Sequence, residues 1–311
     1  MRQLLITIAA VVLVGCGDSD HQHSDDHDHS HAEGDHDHAE SDGHGRDKEL
    51  NAAETVAETE TPEPATVKSP DISIHRAVEQ GNIEAVKQHL AAGTDVNAKD
   101  GIQTPLHYAN SKEIAKLLIA NGADVNTKDK TGSPPLYWAV RKGRKEIAQL
   151  LIEAGADVSV KKKRGENLLH RAASGGRTEI AQLLIANGLD VNAKDANGST
   201  PLYEAGLFGH IEIANLLIEK GADINEKTKL GLTTLHYAAI NGHKKLALLL
   251  IEKGADINAK TDVGTMINPL QQSNGGDTPL DAAVLKNKHE IADLLRKHGA
   301  KTGEELKAEG K

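Results

Sequence analysis

A glycine that returns at a nearly constant interval constrains this chain more than any other feature. Gly93, Gly122, Gly155, Gly188, Gly221, Gly254 and Gly299 are separated by 29, 33, 33, 33, 33 and 45 residues. A period near 33 describes a stack of small similar units that hide their apolar faces against one another. It overrides the division into two globular domains that a length of 311 residues would suggest.

One unit shows how the pattern works. Thr200 supplies a helix cap and Pro201 the first helical position, where a missing N–H costs nothing. That helix ends at Gly209. Ile213, Leu216 and Leu217 then fall at helical spacing on one face of a second helix, which Gly221 closes in a left-handed conformation. The segment Gly221-Ala222-Asp223-Ile224-Asn225 opens the turn to the next unit.

These residues resemble the ankyrin repeat, and Thr104-Pro105-Leu106-His107, Thr278-Pro279-Leu280 and the Gly-Ala-Asp-Val/Ile-Asn segments at 122, 221 and 254 carry the likeness. It extends over residues 71–300, as seven units, and leaves 301–311 as a C-terminal tail. The resemblance implies an all-α solenoid of helix pairs with β-hairpin fingers between them. It also implies a binding module rather than an enzyme, and no Gly-x-Ser-x-Gly, phosphate loop or paired His/Glu zinc motif argues otherwise. In the family, the histidine of the first helix braces neighbouring loops, a role that falls here on His75, His107, His170 and His236. Two units depart from the pattern. Unit two has a first helix about three residues short, which should notch its edge. The last finger carries an insertion around residues 262–276 that would expose Met266, Ile267 and Leu270.

The chain ahead of the repeats is of another kind. Arg2, an apolar run from Leu4 to Val14, and then Gly15-Cys16 have signal-peptide architecture, and the run is too short to cross a bilayer. Leu13-Val14-Gly15-Cys16 resembles the lipobox of bacterial lipoproteins. That likeness implies a signal peptide at 1–15, cleavage before Cys16, lipid on its sulfur, and a place on the periplasmic side of a membrane, with the outer membrane favoured. Residues 16–45 form a His/Asp-rich segment expected to be disordered, with His21, His23, His27, His29, His31, His36, His38 and His44 recurring as His-x-His among aspartates. Alternate imidazoles of an extended chain can chelate zinc, copper or nickel, although the same segment also reads as an acidic spacer that titrates below about pH 6.5. Residues 46–70 continue as a disordered linker.

Charge separates the regions. Residues 18–45 hold ten acids and no Lys or Arg, so within a net charge of -10 the repeats are slightly basic. With six aromatic residues in all, the chain lacks a stacking platform for single-stranded nucleic acid, and with Cys16 its only cysteine it has no intramolecular disulfide. By family analogy ligands meet the finger tips and the ends of the first helices. Units three and four place Lys128, Lys130, Arg141, Lys142, Lys161, Lys162, Lys163, Arg164 and Arg171 there, and units five and six place Leu207, Phe208, Leu230, Leu232 and Ile240. The expectation is a monomer that grips a protein of the cell envelope through the apolar group, with Phe208 as anchor, oriented by the basic one. The competing expectation is a metal-handling lipoprotein whose repeats only dock it to a partner.

Overall fold

A computed structural model of the chain describes residues 70–262 and 276–310. The seven units are seven helix pairs: α1 (Ile74–Glu79) with α2 (Ile83–Ala91), α3 (Pro105–Tyr108) with α4 (Lys112–Ala120), α5 (Pro135–Lys142) with α6 (Lys145–Glu153), α7 (Leu168–Ser174) with α8 (Thr178–Ala186), α9 (Pro201–Phe208) with α10 (Ile211–Glu219), α11 (Thr234–Asn241) with α12 (Lys244–Glu252), and α13 (Pro279–Leu285) with α14 (His289–Lys297). First helices lie against first helices of adjoining units, and second helices against second. A further short helix, α15 (Gly303–Ala308), follows in the segment read from sequence as a tail. Thr302 and Glu305 form its capping box, and Leu306 is buried.

The second helices share one recipe. Ile213, Ala214 and Leu217 of α10 are fully buried, and the same three positions are buried in α4, α6, α8 and α12. Burying a side chain the size of leucine is worth about 1.5–3 kcal/mol, so each unit gains its stability by covering its neighbour's stripe. In the first helices after α1 the second residue is a buried leucine: Leu106, Leu136, Leu169, Leu202, Leu235 and Leu280 for α3, α5, α7, α9, α11 and α13. The turn after α9 requires glycine twice over, because Gly209 has φ +77° and a Cβ there would stand 2.6 Å from the His243 ring.

Side-chain hydrogen bonds tie the units together along two lines. On one line the histidines of α1, α3, α7 and α11 donate from Nε2 to a carbonyl of the next unit: His75 to Ala98, His107 to Ser133, His170 to Ser199 and His236 to Asp277, at 2.9–3.2 Å. The bracing role implied by the family resemblance is thus what these rings perform. Burial lowers the pKa of His107 and His170, and brings that of His236 down to about 4, against the opposing pull of those carbonyls. The other line is an asparagine ladder. Asn97 donates to Gly122 O and accepts from Asp124 N, and Asn126, Asn192 and Asn225 repeat both bonds to the units that follow them. Unit four has Ser159 at this place. Its hydroxyl donates back to Asp157 in its own turn, at 2.6 Å, and does not reach unit five.

The fingers are not β-hairpins. Among the described residues there is no strand, and the only pairing of that kind is an isolated bridge between Lys161 and Asn167. Each finger is a tight turn closed by one or two backbone bonds, such as Asp129 N to Ser133 O with Gly132 N to Asp129 O, or Asp195 N to Ser199 O with Gly198 N to Asp195 O. Adjacent tips exchange a single bond, such as Lys130 N to Ile102 O or Ala196 N to Arg164 O. The carboxylates of Asp129 and Asp195 take up the N–H groups inside the turn, leaving too few free backbone groups for a ladder.

Unit two is short as expected, and α3 has only four residues. The missing turn leaves carbonyls that unit three satisfies, since Arg144 Nη1 donates to Ala109 O at 2.6 Å and to Tyr108 O at 3.4 Å. The expected signal peptide, Cys16, the eight histidines of residues 21–44, nearly all of the expected linker and the insertion after Asp262 lie outside the described residues.

Candidate binding face

The face made by the first helices and fingers carries the side chains that vary from unit to unit. The fourth residue of each first helix from α3 to α13 is in turn Tyr108, Trp138, Arg171, Glu204, Tyr237 and Ala282. At α5 this position becomes a built structure. Trp138 donates from its indole N–H to Asp129 at 2.9 Å, and the Arg141 guanidinium lies over the indole with its carbon 5.0 Å from the ring centre. Burial alone would raise the pKa of Asp129, but hydrogen bonds from Ser133, Thr131, Gln103 and Trp138 outweigh it and hold the carboxyl well below its usual range. Tyr108 is fixed likewise, its hydroxyl donating to Asp100 at 2.7 Å.

Glu204 follows in α9, half-buried. Burial and the nearby charges of Glu166 and Asp195 push its pKa up to about 8, with Arg171 pulling the other way. Beside it the Tyr203 and Tyr237 rings meet edge to face with centres 4.3 Å apart.

The structure sorts the residues singled out by sequence. Phe208 and Leu230 are exposed, at 38% and 37%, while Leu207 and Ile240 are half-buried. Leu232 is not at the surface. It is 5% exposed and belongs to the core, because the residue just before the cap is buried here as it is in units two, three and five, at Gln103, Ser133 and Ser199. The apolar residues are also not one patch. Leu230 is on a finger tip and Phe208 closes α9 at the other edge of the face, a helix length of about 10 Å further on.

The basic residues divide as well. Lys161, Lys163 and Arg164 are exposed on the tip of unit four, Lys128 and Lys130 on that of unit three, and Lys142 at the end of α5, with Arg141 and Arg171 half-buried between. Lys162 is a structural tie. Its ammonium donates to Ser133 Oγ at 2.6 Å and to Thr131 O at 3.1 Å, and sits over the Tyr137 ring.

Sequence reasoning passed over the line through Tyr108, Trp138, Glu204 and Tyr237, although a signal was available. All six aromatic residues of the chain lie in first helices. Among the described residues no group of three or more His, Cys, Asp or Glu side chains is placed to hold a metal ion, and no helix is long and apolar enough to cross a membrane.

Comparison with known families agrees with this architecture. The family described as ankyrin repeats (3 copies) matches the chain over residues 74–162, 155–228 and 226–305. No curated protein matches it.

Proposed function

From the premise that the chain belongs to the ankyrin-repeat family, an interaction scaffold and not a catalyst, we propose that it is a lipid-anchored adaptor of the bacterial envelope that holds a partner protein on the face of its first helices. The observation that carries this reading is the contrast between a uniform outer layer and a layer of first helices that holds every aromatic residue the chain has, all but Tyr203 at least partly exposed. Large rigid rings give the most contact area for the least conformational entropy, which is why they anchor interfaces. Phe208 is the proposed anchor, with Leu207 and Ile240 at its side of the face and Leu230 at the finger edge. The envelope location rests on the Leu4–Val14 run and on Cys16.

The test is photo-crosslinking in intact cells from position 208, with the Cys16→Ala chain alongside. One dominant adduct, lost when Cys16 is replaced, is the expected outcome. Adducts spread over many abundant proteins, or an adduct indifferent to Cys16, would refute the adaptor or its anchoring respectively.

The eight His-x-His histidines favour a second reading, in which residues 16–45 bind zinc, copper or nickel and the repeats dock this store to its client. Titrating Zn²⁺ into the full chain and into a chain with those histidines replaced decides it. Equal heats from the two chains would end the metal reading.

A further inference from the structure

Net positive charge on the inner face is concentrated in two units. Residues 126–144 and 159–177, the finger and first helix of units three and four, hold eleven bases against two acids. The corresponding residues 192–210 of unit five hold one base against two acids. Four of the bases are committed to the fold: Arg144 to the carbonyls of unit two, Lys162 to Ser133, Arg177 against Gly143, and Arg141 over Trp138. The remaining cations run from the finger tips through Arg171 to the end of α5. Resting on the adaptor reading above, we propose that this stripe receives an extended acidic segment of a protein partner, rich in Asp and Glu, bound across units three and four.

Charge complementarity names the occupant. Exposed ammonium groups that are close together repel one another, and carboxylates arriving in register relieve that cost. Adjacent first helices stand roughly 8–10 Å apart, about three residues of extended chain at ~3.3 Å each, so six to eight residues cover both units. The chemistry is less suited to nucleic acid. The Arg141 guanidinium already lies over the Trp138 ring and the Lys162 ammonium over the Tyr137 ring, which leaves no open platform for a base. Beyond the stripe, unit five places Asp195 near Glu204 with one base in its finger and first helix, so the cations that would hold an acidic segment end at unit four.

Trp138 is the only tryptophan in the chain, so its emission reports on this site directly. Deca-glutamate titrated into the full chain should change that emission saturably, and binding should weaken with added salt. Lys163→Glu/Arg164→Glu should weaken it at least tenfold with an unchanged thermal transition, while Lys286→Glu on α13 should stay within twofold. No saturable change with deca-glutamate, or equal binding by the charge-reversed chain, overturns the proposal. So does tighter binding of phosphatidylglycerol vesicles or oligothymidylate than of the acidic peptide. If the crosslink from position 208 survives such a failure, the adaptor reading stands and only the acidic ligand is lost. If the crosslink fails while deca-glutamate binds, the reverse holds.

Discussion

The two helices of each unit repeat to very different degrees. The second helices α4, α6 and α8 read Lys-Glu-Ile-Ala-Lys-Leu-Leu-Ile-Ala, Lys-Glu-Ile-Ala-Gln-Leu-Leu-Ile-Glu and Thr-Glu-Ile-Ala-Gln-Leu-Leu-Ile-Ala, nearly one sequence on the buried and the solvent side alike. First helices agree only where they are buried, at the leucine of the second position and the alanine of the fifth in α5, α7, α9, α11 and α13. Their fourth position runs through tyrosine, tryptophan, arginine, glutamate and alanine. Second helices thus recur on their packed and solvent sides alike, whereas first helices recur only where they are packed, and the varying face is where a specific partner is read.

Substitutions should respect that division. The largest effect is expected from Leu217→Ala, which empties a fully buried site of the outer layer and should cost 2–5 kcal/mol in urea denaturation. A cost below about 1 kcal/mol would mean that the layer tolerates cavities, and the contrast would weaken.

Next is the acid response of the inner layer. The folded-state pKa of His236 lies below its unfolded value of about 6.5, so the folded state binds fewer protons between pH 6.5 and 4. Stability present above pH 6.5 should be lost as pH falls through that window, on the order of 3 kcal/mol for His236 with further loss from His107 and His170. His236→Gln should flatten the profile, and an unaltered slope would count against the brace.

Phe208→Ala should weaken the partner by about 2 kcal/mol, read by titration of the captured protein, while the melting temperature stays put because the ring is exposed. Ser159→Asn restores the missing rung and should add about 1 kcal/mol. Smallest is Glu204→Gln. A folded-state pKa of about 8 against an unfolded 4.5 means that stability falls as pH rises from 4.5 through 8. After discounting for solvent screening at a half-buried carboxyl, the glutamine should recover roughly 1 kcal/mol at pH 8 and leave the acid limb unchanged.

Much of this was legible beforehand. Period, caps and the apolar stripe placed every helix pair, because each depends on residues within ten positions of one another. The fingers were not legible, since whether an Asp-rich turn extends into strands depends on which N–H groups its own carboxylate takes, as at Asp129. Leu232 and Lys162 misled for one reason: a finger residue's outlook is set by the neighbouring unit, a contact some thirty residues away in sequence. Trp138 carries no cap, turn or repeat signal, because the middle of a first helix stays partly open to solvent wherever the helices are lined side by side.

Ser159 has a consequence beyond its missing bonds. The joint between units four and five keeps its helix packing and the His170 and His210 bonds, and lacks only the tie between its turns. Loosening there should therefore be confined to the turns. A protease at low dose should then nick the turn around residue 190 before the equivalent turns around residues 124 and 223. The same joint lies between the cationic stripe and Phe208, so a partner spanning both would act as the clasp that the serine fails to provide.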